Sequence, residues 1–176
     1  MNTKIHLSRK LQALVPSELI VAPFHSENPL GKWNATLFYV NHKKCLLLVN
    51  ALTKYTVIID RVSKADFMNF REIFIDHLYR QLSIDEIKIE KHNISKLVGH
   101  IHFCETDNDQ KTIGIQNYLL QSVEDWKYLY GHIDDWPFRK INAYINTIPY
   151  KQLKYTYPKE KMSVLIEDIC KKHFLN

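Results

Sequence analysis

The sequence contains few glycines, prolines and cysteines, the residues that make a chain flexible, interrupt its helices and strands, or cross-link it. Of its 176 residues, 4 are glycine, 6 are proline and 3 are cysteine. With so few glycines there is no Walker loop and no GxGxxG motif, so a phosphate-binding loop would have to be built from ordinary residues. The cysteines are odd in number, widely spaced and without a CxxC pair, which argues against the disulfide framework of a secreted protein. The thiols are therefore expected to be reduced, as in a cytoplasm.

Long hydrophobic runs are also absent. The first residues, MNTKIHLSRKLQALV, are interrupted by Lys4, Arg9 and Lys10 and lack the continuous apolar core of a signal peptide. No other run approaches the length of a membrane span. The formal net charge of +5 is small and spread along the chain, so it only weakly favours contact with a polyanion. We expect a cytoplasmic protein that does not enter a membrane.

The chain does contain enough apolar and aromatic side chains for one sizeable core. It is 45% hydrophobic and holds 10 tyrosines, 8 phenylalanines and 3 tryptophans, which suits a single globular domain. The regular core is expected to begin at Trp33, where WNATLFYV, CLLLVN and YTVIID are separated by short polar turns and predict an antiparallel meander. EIKIE predicts a further strand, and LVGHIHFCE followed by DND and TIGI predicts a second hairpin.

Apolar residues at helical spacing fill much of the remaining sequence. The resulting prediction is an α+β fold, a single domain in which a mainly antiparallel sheet packs against helices. Residues 1–121 are expected to form its core, and residues 122–176 a helical C-terminal extension packed on the same domain. Helices are predicted over residues 8–15, 63–82, 116–131 and 137–148, and from residue 159 onward.

Five short motifs carry a resemblance to a known family. They are RKL at Arg9–Leu11, WNATL at Trp33–Leu37, NHKKCLLLVN at Asn41–Asn50, KADF at Lys64–Phe67, and Phe103 with Thr106 followed by Asn117. In this order and spacing they resemble an uncharacterised bacterial domain family, known only as a domain of unknown function. The resemblance covers roughly the first two-thirds of the chain and implies no reaction. The family has a His and an Asn where this chain has Asn34 and Thr36, and basic residues where it has Glu105, Asp107 and Asp109.

The stretch GHIHFCE places three metal-ligating side chains at alternate positions. On a strand His100, His102 and Cys104 lie on one face, where they could bind a transition metal. A structural zinc site needs a fourth ligand, and no second close pair of ligands accompanies these three. A histidine pair at the surface or packed on the sheet is the simpler interpretation, so no cofactor is expected.

Residues 148–161, IPYKQLKYTYPKEK, interleave aromatic and basic side chains. Tyrosine rings can stack on bases while lysines follow the phosphates. Alternatively, the tyrosines pack on the sheet with their hydroxyls in water, and the lysines only solvate the surface. Any nucleic-acid binding is predicted to be weak and to favour single strands. The candidate residues for this binding are Tyr150, Lys151, Lys154, Tyr155, Tyr157 and Lys159.

No arrangement of nucleophile, base and phosphate-binding residues stands out, so no catalytic residue is assigned. We therefore predict a non-enzymatic interaction module that binds a protein partner or, weakly, nucleic acid. The alternative is a metal-dependent hydrolase or nuclease whose site assembles from scattered residues, for instance His100, His102 and Asp107 with Arg61.

The last predicted helix offers a surface for a partner. Its apolar stripe contains Met162, Leu165, Ile169 and Phe174. Such a stripe usually packs in the core, but it can also form the seam of a homo-oligomer or bind another protein.

Overall fold

In the computed structural model, which describes residues 1–22, 24 and 27–173, one mixed sheet is covered by helices on both faces. Within these residues the sheet has six strands in the order β2-β6-β1-β3-β4-β5. The strands are β1 (Asn2–Leu7), β2 (Ile20–Val21), β3 (Trp33–Val40), β4 (Lys43–Asn50), β5 (Thr56–Ile59) and β6 (His100–Cys104).

Local signals explain where several helices start and stop. The Ser8 side chain accepts a hydrogen bond from the backbone N–H of Leu11, and the Asp109 side chain accepts one from Thr112, so each caps a helix N-terminus. None of the helices in the described residues is both long enough and apolar enough to cross a membrane. The helices are α1 (Arg9–Gln12), α2 (Phe70–Ile84), α3 (Lys91–Val98), α4 (Gln110–Tyr130), α5 (Phe138–Ile145) and α6 (Pro158–His173).

Two hydrophobic clusters lie on opposite faces of the sheet. The α2 face is covered by α2, α3 and α6, and the α4 face by α4 and α5. Successive residues of β4 alternate between the two clusters, with Leu46 and Leu48 on the α2 face and Leu47 and Val49 on the α4 face. This burial on both sides explains why CLLLV is apolar at every position.

The predicted α+β class is confirmed, and the sheet is mixed, with more parallel pairing than the sequence suggested. Among the strands that the structure describes, β3 and β4 pair antiparallel, and so do β4 and β5. β1 pairs in parallel with both β3 and β6, and β2 pairs in parallel with β6. The difference comes mainly from β1, which lies inside the sheet although the regular core was expected to begin at Trp33.

The second predicted hairpin and the EIKIE strand are wrong. The residues TIGI lie inside α4, because the Asp109 cap starts a helix where a returning strand was expected. EIKIE is irregular: Glu86 has a left-handed φ of 63°, and the N–H of Ile87 bonds back to the carbonyl of Leu82 at 2.8 Å. This segment therefore terminates α2 and adds no strand to the sheet.

The meander and the predicted helices are confirmed. β3, β4 and β5 coincide with the three predicted runs, and α4 ends at Gly131, whose φ is 63°. In α6, Met162, Ile166 and Ile169 are buried in the cluster on the α2 face, so the apolar stripe is part of the core. Phe174, the last member of the predicted stripe, lies outside the described residues.

Candidate functional site

The three predicted metal ligands share one side of β6 but differ in exposure. His100 is exposed, His102 is half-buried and Cys104 is fully buried, and burial raises the pKa of the Cys104 thiol. His102 makes an edge contact with the ring of Phe24 at a centroid distance of 4.9 Å. Among the described residues, no group of three or more His, Cys, Asp or Glu side chains is placed to hold a metal ion.

The scattered residues considered for a hydrolase do not form one cluster. Arg61 forms ion pairs with Asp60 and Asp134, while Asp107 contacts Lys32 and Asn34. The Asp107 carboxylate therefore faces a different set of partners from the Arg61 guanidinium.

Residues 148–161, here called the tyrosine and lysine segment, are exposed only in part. Four of the candidate side chains are exposed, namely Lys151, Lys154, Tyr155 and, to a lesser extent, Tyr157. Tyr150 is only 7% exposed. Tyr150 packs in the cluster on the α4 face, so it is not available to stack on a base. Lys159 is half-buried.

A different set of polar residues surrounds a cavity of about 220 Å³ on the α4 face, here called the His6 cavity. It lies between the end of β1, the first residues of β3, the loop after β6 and the start of α4. His6 and Asn34 are register partners on β1 and β3, and both are buried, with exposures of 7% and 3%. Its wall also includes Ser8, Arg9, Thr36, Thr106, Asn108, Gln116 and Asn117.

His6 has both ring nitrogens directed at neighbouring groups. Its Nδ1 lies 2.8 Å from the carbonyl oxygen of Glu105. Because a carbonyl oxygen can only accept, Nδ1 carries a proton and donates it. The Nε2 atom lies 3.8 Å from the Asp107 carboxylate. The ring is therefore held by the hydrogen bond from Nδ1, while Nε2 lies on the side of the Asp107 carboxylate beyond hydrogen-bond distance.

Asp107 is the centre of the charge network beside the cavity. Its Oδ2 lies 2.5 Å from Lys32 Nζ, and its Oδ1 accepts a 2.9 Å hydrogen bond from Asn34 Nδ2. Burial by itself would raise the pKa of Asp107, but the hydrogen bonds from Lys32, Asn34 and the backbone of Asp109 outweigh it and lower the pKa to about 2. Asp107 is thus held as a carboxylate.

A second carboxylate extends this network along α4. Asp109 accepts hydrogen bonds from the Thr112 hydroxyl at 2.8 Å and from the Thr112 backbone. Lys54, which is 5% exposed, donates to the same hydroxyl at 2.8 Å. Burial lowers the pKa of Lys54, and hydrogen bonds from Thr112 lower the pKa of Asp109 in spite of its burial. The network fixes the start of α4 against β3 and the turn after β4.

Asn34 is left with one unused hydrogen-bonding atom. Its Nδ2 donates to Asp107, and its backbone carbonyl accepts a 2.8 Å hydrogen bond from Gln116 Nε2. Its Oδ1 is buried and has no partner. Because an unsatisfied buried acceptor costs roughly 1–3 kcal/mol, this atom favours any ligand that can donate to it.

The sequence alone did not indicate the role of His6, Lys32 or Gln116. One signal was available, because Arg9, Thr106 and Asn117, which belong to the family motifs, line the His6 cavity together with Asn34 and Thr36, where this chain departs from its family. Two of them, Asn34 and Thr36, are polar residues at buried positions of β3. A polar residue buried in a strand usually has a specific partner or function.

Comparison with known proteins agrees with that signal. No curated protein and no solved structure matches the chain. One family model, described as "Domain of unknown function (DUF6933)", matches residues 4–161 and so extends past Gln121 into α6. The predicted resemblance to an uncharacterised domain family is confirmed, and the chain belongs to the DUF6933 family.

Proposed function

We propose that this chain is a non-enzymatic cytoplasmic binding module, and that its His6 cavity binds a small carboxylate that also carries a hydroxyl or amino group. The observation that carries the proposal is the buried Asn34 Oδ1, which has no hydrogen-bond partner at the wall of the cavity. A hydroxyl or amino group on the ligand would donate to this atom.

Arg9 supplies the affinity for a carboxylate. It lies at the start of α1, lines the cavity, and forms no ion pair or hydrogen bond with any other residue that the structure describes. A guanidinium can bind a carboxylate through two parallel hydrogen bonds. The cavity volume of about 220 Å³ is below the range of drug-sized sites, which begins at about 300 Å³, so the ligand is small.

The orientation of the His6 ring supports binding rather than catalysis. A general base must have a nitrogen within reach of the substrate. His6 Nδ1 donates to the Glu105 carbonyl, and Nε2 faces the Asp107 carboxylate, which in turn is held by Lys32. The free cysteines Cys45 and Cys104 are buried, as suits structural thiols in a reducing compartment.

Matched pairs of ligands test this proposal. Glycolate and acetate, or lactate and propionate, differ only in a hydroxyl, so we expect the hydroxy acid of each pair to bind roughly tenfold tighter in isothermal titration calorimetry. The Arg9→Ala variant should lose affinity for both members of each pair. The Asn34→Ala variant should bind the two members of each pair with equal affinity. Lys172→Ala, at an exposed cation in the last turn of α6 that does not line the cavity, is the control and should bind as the wild type does.

Three results would contradict the proposal. They are the absence of binding of any small carboxylate at millimolar concentration, equal affinity for the two members of each pair, and binding that Arg9→Ala leaves unchanged. Because the Arg9 side chain is exposed and forms no hydrogen bond or ion pair among the described residues, we expect Arg9→Ala to keep the fold, so that the test stays interpretable.

A second proposal concerns the remaining part of the tyrosine and lysine segment. Lys151, Lys154 and Tyr155 are exposed together, which supports weak, salt-dependent binding of single-stranded nucleic acid. Titration with a single-stranded oligonucleotide at low salt should show saturable binding that Lys151→Glu, Lys154→Glu and Tyr155→Ala each weaken. Binding that none of the three substitutions weakens would exclude this segment as the binding site.

A further inference from the structure

Several basic side chains lie around a second cavity, of about 500 Å³, at the β5 edge of the sheet. We name it the α5 cavity, because its wall contains the first turn of α5 together with residues of α2 and β5. Its volume lies within the range of about 300–1,000 Å³ that small-molecule sites occupy. Its charged residues are Asp60, Arg80, Arg139 and Lys140.

The cations of this cavity are largely free to bind an anion. Arg139 and Lys140 are exposed and form no ion pair within the residues that the structure describes. Arg80 lies 3.9 Å from Asp76, a carboxylate that also pairs with Lys91. The acidic residue of the wall, Asp60, is 2.9 Å from Arg61 and is therefore already neutralised in part.

The first turn of α5 has the wrong charge for a helix without a ligand. A helix N-terminus carries partial positive charge and unsatisfied N–H groups, so acidic residues are favoured there. In α5 the first turn contains no acidic residue, and it contains Arg139 and Lys140 instead. The residue before the helix, Pro137, provides no side-chain cap. The N–H of Phe138 already donates to the Trp136 carbonyl at 2.9 Å, so a bound anion would act on the remaining N–H groups of this turn and on both cations.

A second and independent observation comes from the amide of Asn142, one turn further along α5. Asn142 lines the cavity and is 3% exposed, and its Oδ1 is buried without a hydrogen-bond partner. Beside it the wall is apolar, because the rings of Trp136 and Phe138 pack together at a centroid distance of 5.3 Å. A ligand that fits therefore combines an anionic group, an apolar ring and an N–H or O–H donor.

A nucleotide has these three parts in one molecule. We propose that the α5 cavity binds a mononucleotide, with its phosphate at the first turn of α5 beside Arg139 and Lys140 and its base along the wall formed by Trp136 and Phe138. The base amine or a ribose hydroxyl donates to Asn142. This site shares no lining residue with the His6 cavity, so either proposal can fail without the other.

Calorimetric titration of the full chain with AMP, adenosine and inorganic phosphate tests the three parts separately. We expect AMP to bind at least tenfold tighter than either adenosine or phosphate. The exposed pair Arg139→Ala/Lys140→Ala should weaken AMP at least tenfold and leave adenosine unchanged, and Asn142→Leu should weaken both. Lys171→Ala/Lys172→Ala, an exposed pair of cations in the last turn of α6 that does not line the cavity, is the matched control and should leave AMP affinity unchanged.

Fluorescence locates the ligand independently. Of the three tryptophans, Trp136 lines the α5 cavity, and Trp33 and Trp126 do not. AMP should therefore change the tryptophan emission of the wild type but not that of Trp136→Phe. The proposal is overturned if AMP does not bind at millimolar concentration or if phosphate binds as tightly as AMP. It is also overturned if the Arg139 and Lys140 changes have no effect, or if an oligonucleotide binds where AMP does not.

Discussion

The two cavities differ in whether the charged side chains around them are paired with opposite charges. Beside the His6 cavity, the Asp107 carboxylate is held by Lys32 and Asn34. At the β5 edge, Arg139 and Lys140 have no ionic partner among the described residues. In the first arrangement, ionic contacts hold the backbone around one buried acceptor. In the second, positive side chains stay available to bind an anion. A protein can thus present a preformed polar cavity and an electropositive one on the same sheet.

Two aspartates show a similar contrast between a carboxylate that is paired with a cation and one that is not. Asp107 has a pKa lowered to about 2 by Lys32 and Asn34 in spite of its burial. Asp85, near the α5 cavity, accepts hydrogen bonds from Tyr55, Gln81 and Asn146 but forms no ion pair within the described residues. Burial raises the pKa of Asp85, because these neutral donors offset the loss of water only in part.

The largest expected effect is that of Asp107→Asn, which removes the ionic partner of Lys32. We expect the free energy of unfolding at pH 7 to fall by about 2 kcal/mol. Because the folded-state pKa is lowered, the stabilisation is present above the unfolded value of about 4 and is lost as the pH falls toward 2. Urea denaturation between pH 7 and pH 2 should show a larger loss of stability in the wild type than in the variant, which keeps Asp109 with its lowered pKa.

Asp125→Asn is the control for that measurement, because Asp125 is an exposed aspartate on α4. An equal loss of stability in both variants would mean that the Lys32 contact contributes little.

A smaller effect of opposite sign is expected for Asp85→Asn. All three hydrogen bonds to Asp85 reach Oδ2, so an asparagine can accept them through its own oxygen. Because the folded-state pKa of Asp85 is raised, its favourable contribution is present below about pH 4 and is lost as the pH rises toward the folded-state pKa. The variant should therefore be more stable than the wild type at pH 7, by on the order of 1 kcal/mol, and equal to it near pH 3.

The pH dependence decides whether the burial of the Asp85 charge is the cause. A gain that stays constant from pH 3 to pH 7 would show that packing, and not the ionisation of Asp85, separates the two proteins.

The smallest effect is expected for Lys140→Glu in the first turn of α5. Replacing a positive charge by a negative one at a helix N-terminus should raise the free energy of unfolding by about 0.5 kcal/mol at low salt, and less at 1 M salt. Lys171 lies in the last turn of α6, where the same substitution should lower stability by a similar amount. Thermal unfolding of both variants would measure the difference, and equal signs for the two would exclude a helix-dipole effect.

Local patterns were sufficient for the elements whose contacts are close in sequence. The meander β3 to β5 and the helices α2, α5 and α6 each carry a continuous periodic signal, and the structure has them where the sequence predicts. β1 was missed because its six residues pair only with distant strands, β3 and β6. Its alternation was nevertheless present, since Thr3, Ile5 and Leu7 are all buried.

The candidate site was harder to predict because its parts come from four separate segments. Asp107 follows the expected pattern of a polar turn, and only the fold brings Lys32, 75 residues away, onto its carboxylate. Asn34 and Thr36 stood out as positions where this chain departs from the family motif, although nothing in the sequence shows that the Oδ1 of Asn34 lacks a partner. Unsatisfied atoms are properties of packing, which a single sequence does not encode locally.

The position of β1 inside the sheet also sets an order of events during synthesis. β1 emerges from the ribosome before either of its neighbours, and its second edge stays unpaired until Cys104 has been made. At translation rates of about 5–20 residues per second, this delay lasts roughly 5 to 20 seconds. In that time β3 to β5 and α2 can form from local contacts, and β1 can join them along β3. The insertion of β1 between β3 and β6 then completes the wall of the His6 cavity, so the cavity is a late product of folding.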